Sequence, residues 1–208
     1  MNKKVIKALF ANICAKDVNR PIMGGVHFEK ERCYASDGHI LVIFNEGSEK
    51  LDGKTINLEG NEIVGRYPNV DSVFPPKDNQ GEQVSIDFVQ LKNACAYHLK
   101  QLSATEHDRV IINEVGFNIR SLHRVLCTVT LVGDAKNIKF FCKDKNHAVV
   151  VEGDQMRGLI MPTLYNEGEI DFDTDFGETK TYSYENFIND YVFNCWKKQP
   201  KTELAWAE

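Results

Sequence analysis

No apolar run in this sequence exceeds five residues, Ile40 to Phe44, whereas a helix that crosses a bilayer needs about 20. The N-terminal Met-Asn-Lys-Lys leads into an amphipathic pattern without a cleavage site, so neither a spanning helix nor a signal peptide is expected, and the reading is cytoplasmic. There is no Cys-x-x-Cys pair, and no histidine stands at zinc-ligand spacing from the six cysteines, Cys14, Cys33, Cys95, Cys127, Cys142 and Cys195. That absence excludes a zinc ribbon and reads the cysteines as reduced, mostly buried thiols. A glycine-rich phosphate loop is also missing, because Gly24-Gly25 and Gly133 stand apart from any helix start at the required spacing. Cys33, Asp37 and His39 lie close together, but residues on alternating strand faces rarely converge into a nucleophile and its base. Asp171, Asp173 and Asp175 alternate like weak metal ligands, yet they lack the glycine and distal glutamate of a calcium loop and read as a solvated acidic linker. No catalytic residue, cofactor or metal site is expected.

What is present is an ordinary globular composition, 42% hydrophobic and 26% charged over 208 residues, with a net charge of −5. The charge is unevenly placed. Windows 3–20, 87–102 and 118–132 hold nine cations (Lys3, Lys4, Lys7, Lys16, Arg20, Lys92, Lys100, Arg120, Arg124) and two acids (Asp17, Asp87), a net of +7, so the rest of the chain carries −12. All three windows read as helices. Val5, Ile6, Leu9, Phe10 and Ile13 recur at helical spacing from Asn2 to about Lys16, with Lys3 and Lys7 on another face. Asp87 is placed to cap a helix with the stripe Phe88, Leu91, Cys95, Leu99 and Leu102. Asn118 is placed to cap a third, whose Leu122, Val125, Leu126 and Val129 face inward while Arg120 and Arg124 lie a turn apart on the other side.

Strands are expected near 22–29, 31–36 and 39–45, with Asp37-Gly38 as a turn that tolerates positive φ, and near 54–59, 84–87, 110–112, 136–143, 147–152 and 157–163. Pro68, Pro75 and Pro76 mark 60–83 as an extended connector. A helix followed by three strands thus occurs twice, at 2–45 and 118–163. Residues 165–208 begin as an acidic stretch and end in a helix around Tyr184 to Lys198, with Phe187, Ile188, Tyr191, Val192 and Cys195 as its apolar side. This tail holds ten acids and four lysines, a net of −6. Three readings are open for it: a cover for a basic face, a cover for an apolar groove through Phe187, Tyr191, Phe193 and Trp196, or a helix packed on the domain's flank.

Four segments carry a resemblance. Arg20-Pro21-Ile22-Met23-Gly24-Gly25-Val26-His27-Phe28 feeds two short strands, and Ala35-Ser36-Asp37-Gly38-His39-Ile40-Leu41 follows. Tyr67-Pro68-Asn69-Val70-Asp71-Ser72-Val73-Phe74-Pro75 and Gly158-Leu159-Ile160-Met161-Pro162-Thr163-Leu164 come in the same order along the chain. Together they resemble the bacterial sliding clamp, the DNA polymerase III beta subunit family, over residues 1–164. Two departures stand out: Thr163 runs directly into Leu164 where the family has an arginine between, and Ile40 replaces the arginine after the histidine. The resemblance implies an α+β, DNA-clamp-like fold, helices packed on antiparallel sheets, with a C-terminal extension. Residues 1–164 are the clamp-like region, either one domain with an inserted helix or two shortened domains with a break near 76–84, and 165–208 are the extension.

The resemblance also implies two sites. Clamps set helices around a central hole, where Lys and Arg meet phosphates without reading bases, which makes Lys3, Lys7, Lys92, Lys100, Arg120 and Arg124 the candidate contacts to duplex DNA. The clamp's apolar pocket for partner peptides maps to Ser36, Gly38, His39, Leu41, Pro75, Met161, Pro162, Thr163 and Leu164. The implied function is a non-enzymatic, homo-oligomeric processivity factor that surrounds or cradles duplex DNA and docks a polymerase or other clamp-binding peptides. The alternative is a clamp-fold interaction protein that forms no ring and binds a replication partner or a clamp.

Overall fold

The computed structural model describes residues 2–101, 104–133, 137–170 and 179–197. The start of the strand expected from 136, the carboxylates Asp171, Asp173, Asp175 and Glu178, the stripe residue Leu102 and the helix end at 198 lie outside the described residues. The first helix, α1 (Lys3–Asn12), is capped by Asn2, whose side-chain oxygen accepts the Lys4 amide at 3.0 Å. It stops before the expected Lys16 because the chain turns there and the Ala15 amide donates to the Met23 carbonyl at 2.9 Å. Strands β1 (Val26–Glu29), β2 (Arg32–Ser36), β3 (Ile40–Phe44) and the two-residue β4 (Thr55–Ile56) follow. The connector then runs with two short 3₁₀ turns, Asp71–Val73 and Lys77–Asn79, into β5 (Glu82–Val84). That strand sits earlier than expected, since its place is fixed by long-range pairing of Glu82, Gln83 and Val84 with Cys142, Phe141 and Phe140.

Asp87 caps α2 (Phe88–His98), accepting the Gln90 amide at 2.9 Å. A hairpin follows, β6 (Arg109–Ile112) and β7 (Val115–Asn118), and β7 had no sequence signal. Its turn residues Asn113 and Glu114 have φ of 50° and 62°, a double positive-φ turn that ordinarily shows itself by a glycine at the second place. Asn118 caps α3 (Ile119–Val132), which closes at Gly133 with φ of 87°. Then come β8 (Lys139–Cys142), β9 (Val149–Glu152), β10 (Met156–Ile160), β11 (Thr181–Ser183) and α4 (Tyr184–Lys197).

Eight strands form one antiparallel sheet in the order β4-β1-β2-β3-β10-β9-β8-β5. The two helix-plus-three-strand units therefore meet at β3 and β10, in a register from Ile40↔Ile160 to Phe44↔Met156, while α1 packs on α3 behind them. Burial follows the pleat. Cys33, Ala35, Ile40, Val42, Phe44, Val149, Val151, Met156 and Ile160 face the helices in the main core. Their alternates Tyr34, Leu41, Ile43, Val150 and Leu159 face the other way, into a second core that the connector closes with Tyr67 and Val70. The run Ile40 to Phe44 is buried throughout because both faces of β3 are covered.

The second sheet, β11-β6-β7, departs from the antiparallel expectation, since β11 pairs with β6 in parallel. From β11 the chain enters α4, which packs on α2 and β6. Phe187 is buried and its ring stacks on His98 with centroids 4.0 Å apart. The described part of the tail thus packs as a helix on the flank of the core.

Candidate functional site

The helical cations separate into two kinds. Lys3 and Lys7 on α1, Arg120 on α3 and Lys100 just beyond α2 are exposed, and Lys92 is half-buried. Among the described residues none of these five forms an ion pair. Arg124 is different and corrects the expectation that it points away from the core beside Arg120. It is half-buried, and its guanidinium donates to the carbonyls of Asn12, Ile13 and Cys14 and pairs with the carboxylate of Asp37. Arg124 thereby caps the C-terminal end of α1, which supplies orphan carbonyls there, and its charge is already compensated.

Asp37 organises the β2–β3 turn. One carboxylate oxygen accepts the amides of His39 and Ile40, each at 2.9 Å, and Ser36 Oγ donates to the Ile40 carbonyl at 2.8 Å while accepting from the Gly38 amide at 3.0 Å. Gly38 sits at φ of 94°, where a side chain would also strike the guanidinium of Arg20. Beyond β10 the Met161 amide donates to the His39 carbonyl at 2.8 Å, which carries Met161 alongside this turn.

Between the turn, the end of β10 and the connector lies an apolar groove of about 150 Å³. Ser36, Gly38, His39, Leu41 and Met161, all expected as peptide-binding residues, line it. Sequence reasoning missed Met23, Tyr67, Val70 and Leu159, which line it too; the signal available was the aromatic in Tyr67-Pro68, an apolar anchor inside a connector. Tyr67 is buried against His27 and Tyr34, with centroid distances of 5.1 Å and 5.3 Å, and burial pushes its hydroxyl pKa well up. Pro75, Pro162, Thr163 and Leu164 are not part of the groove lining. The chain past Met161 turns to the other sheet: the Thr163 amide donates to the Gly116 carbonyl at 2.8 Å, and Arg109 donates to the Leu164 carbonyl.

The groups weighed for catalysis do not assemble. Cys33 is buried on the helix side of β2 with its thiol pushed up to about 12, chiefly by burial and then by Glu46. Asp37 is held by Arg124, and His39 faces the groove. Among the described residues no cluster of metal-ligating side chains occurs, all six cysteines are unpaired, and no helix is long and apolar enough to cross a membrane.

The fold is similar to those of solved bacterial DNA polymerase III beta sliding clamps. The DNA polymerase III subunit beta of Pseudomonas aeruginosa superposes with a TM-score of 0.60 at 15% identity, over 77% of this chain and 64% of that one. The beta subunit of Streptococcus pyogenes gives 0.62 at 14% identity, over 78% and 63%, and the C. crescentus beta sliding clamp 0.62 at 13% identity, over 78% and 63%. These likenesses establish a clamp fold, and the chain spans less than two thirds of the length of the clamps it matches. No protein-family model and no curated protein sequence matches the chain.

Proposed function

We propose that this protein is a non-enzymatic, sliding-clamp-like factor that cradles duplex DNA on its helices and docks partner peptides in its groove. The observation that carries the reading is a set of cations without an ion pair among the described residues, Lys3, Lys7, Lys92 and Arg120 on helices that pack together and Lys100 just beyond α2, in a chain that is acidic as a whole. Such contacts serve phosphates of any sequence, and their strength falls with salt because the counterions they release from the duplex gain less by entering a saltier solution. Arg124 is assigned to positioning α1 and the Asp37 turn, outside the phosphate set. The groove, apolar with a polar rim at Ser36 and His39, suits a short peptide with one or two large apolar anchors. Processivity in this reading requires several chains closed around the duplex.

A second reading draws on the groove alone: a clamp-fold interaction protein that binds a replication partner or a clamp without closing a ring. Molar mass in solution with and without duplex DNA separates the two, because the first predicts a higher-order assembly on DNA. Fluorescence anisotropy with unrelated duplexes tests the phosphate role. Each contact contributes about 0.9 to the slope of log affinity against log salt, so replacing Lys3, Lys7 and Arg120 by Ala is expected to flatten that slope equally for all sequences. An unchanged slope overturns the phosphate role.

A further inference from the structure

Outside the cation set and the groove, α3 carries a nucleophile beside a base. Its buried residues Ile119, Leu122, Val125, Leu126 and Val129 turn to the core. That leaves Arg120, His123, Cys127 and Leu131 on the outer side, with Arg120 and Leu131 exposed and His123 and Cys127 half-buried. Residues four apart on a helix are neighbours. Sγ of Cys127 accordingly lies 3.3 Å from Nε2 of His123 and 4.0 Å from its Nδ1. Among the described residues no other cysteine has an imidazole within hydrogen-bond reach. Cys14, Cys33, Cys95 and Cys142 are buried, and Cys195 is exposed on α4. Burial pushes the Cys127 thiol pKa up, so the sulfur keeps its proton, and burial is also the largest of the effects that pull the His123 pKa down, so the ring is neutral near pH 7 and has a nitrogen free to accept. A thiol attacks only as its anion. A base held against the S–H supplies that anion at the moment of attack.

We propose that Cys127 is a site of mixed-disulfide formation with low-molecular-weight disulfides such as oxidised glutathione, with His123 as the base that takes its proton. The S–H proton passes to Nε2, the sulfur's electron pair forms a bond to one sulfur of the incoming disulfide, and the old S–S bond breaks. The departing thiolate then takes the proton back from the ring. Cys127 is oxidised to the mixed disulfide, the leaving half is reduced to a thiol, and the imidazole is returned neutral. A slim disulfide suits the position, because attack on a half-buried sulfur needs access along the S–S axis, which the bulk around a disulfide within a folded protein denies. The reaction is independent of duplex binding.

The test uses the full chain, reduced, with oxidised glutathione as the probe at about pH 7.5. Mass-spectrometric peptide mapping follows each cysteine separately in the wild type, in His123→Gln and in the urea-unfolded wild type. Cys127 is expected to form the adduct ahead of Cys14, Cys33, Cys95 and Cys142, faster in the folded than in the unfolded chain, and reversibly with a reducing thiol. In His123→Gln it is expected to react at least about tenfold more slowly, where a positioned base in an enzyme contributes about a hundredfold or more. A ring that only packs over the sulfur gives the opposite sign, since its removal uncovers the thiol. If folded Cys127 reacts more slowly than the same residue in the unfolded chain, the proposal is overturned. It is overturned equally if His123→Gln reacts as fast as the wild type or faster while its buried cysteines stay protected. The folded and unfolded wild type are compared without any substitution, so a variant that fails to fold still leaves the outcome decided.

Discussion

Arg124 on α3 holds the carboxylate of Asp37, 87 positions away in the chain, at the turn whose tip forms the rim of the groove. The same guanidinium closes the end of α1. One half-buried cation therefore joins the first unit to the second and ties the helical layer to the groove, with Arg20 adding a bond to the Asp37 carbonyl at 3.3 Å. A planar fork suits this position, because it meets a carboxylate and helix-end carbonyls at once, which a lysine cannot do.

Arg124→Gln is expected to destabilise the fold by about 2–3 kcal/mol, since it strands a carboxylate and orphan carbonyls with little exposure to water. It is also expected to weaken peptide capture by loosening Gly38 and His39, while leaving the salt slope of DNA binding unchanged. Urea unfolding, peptide titration and anisotropy read the three effects. A slope that drops by about one phosphate contact would return Arg124 to the DNA-binding set.

Met161 and Leu41 both line the groove but differ in what else they do. Met161 is 47% exposed, whereas Leu41 is buried in the second core. Met161→Ala is therefore expected to leave the unfolding midpoint nearly unmoved and to weaken a peptide of the Gln-x-x-Leu-x-Phe kind by about 2 kcal/mol, the scale of a truncated interface anchor. Leu41→Ala adds a loss of stability of about 2–5 kcal/mol. Equal affinity of wild type and Met161→Ala for such a peptide removes Met161 from the site.

Elements with local signals were legible in the sequence. Asn2, Asp87 and Asn118 mark the helix starts, and Asp37-Gly38 marks the turn. Elements set by distant partners were not. β11 is three residues long and exists through parallel pairing with β6, and the place of β5 is set by β8. Arg124 shows the same limit within a helix: it lies one turn from Arg120, and only the arrival of the α1 terminus and Asp37 decides that one is enclosed and the other free. The groove followed the motifs at Ser36 to Leu41 and Met161 but not at Pro162 to Leu164, because β7, unmarked in the sequence, draws Thr163 away.

Acid is expected to destabilise the fold through buried neutral histidines. His98 Nε2 donates to the Phe187 carbonyl at 3.1 Å, and burial, outweighing that bond and Asp190, lowers its pKa below the ordinary 6.5. His27 is lowered likewise, chiefly by burial. Above the unfolded value both states are neutral and stability is full; as pH falls below about 6.5 the unfolded chain takes up protons first and stability declines. Urea midpoints measured from about pH 7.5 down to about 5.5 are expected to fall, and His98→Gln is expected to flatten part of that decline. A midpoint that rises toward low pH contradicts the assignment.

Phe187 and Phe193 on α4 distinguish a structural helix from a detachable cover. Phe187 is fully buried between His98 and Tyr182, and Phe193 on the same helix is 58% exposed. If α4 is part of the core, Phe187→Ala is expected to cost about 3–5 kcal/mol by transfer and cavity formation, while Phe193→Ala stays within about 0.5 kcal/mol. If α4 instead masks a binding face and lifts away in use, Phe187→Ala releases it: the main unfolding transition persists, and affinity for duplex DNA or for the peptide rises. Thermal unfolding of both variants, with DNA and peptide titrations of Phe187→Ala, decides between them. The structure favours the first outcome, because α4 follows directly from β11, whose pairing with β6 fixes where the helix begins. Tighter binding by a stably folded Phe187→Ala protein would show that this anchoring is reversible.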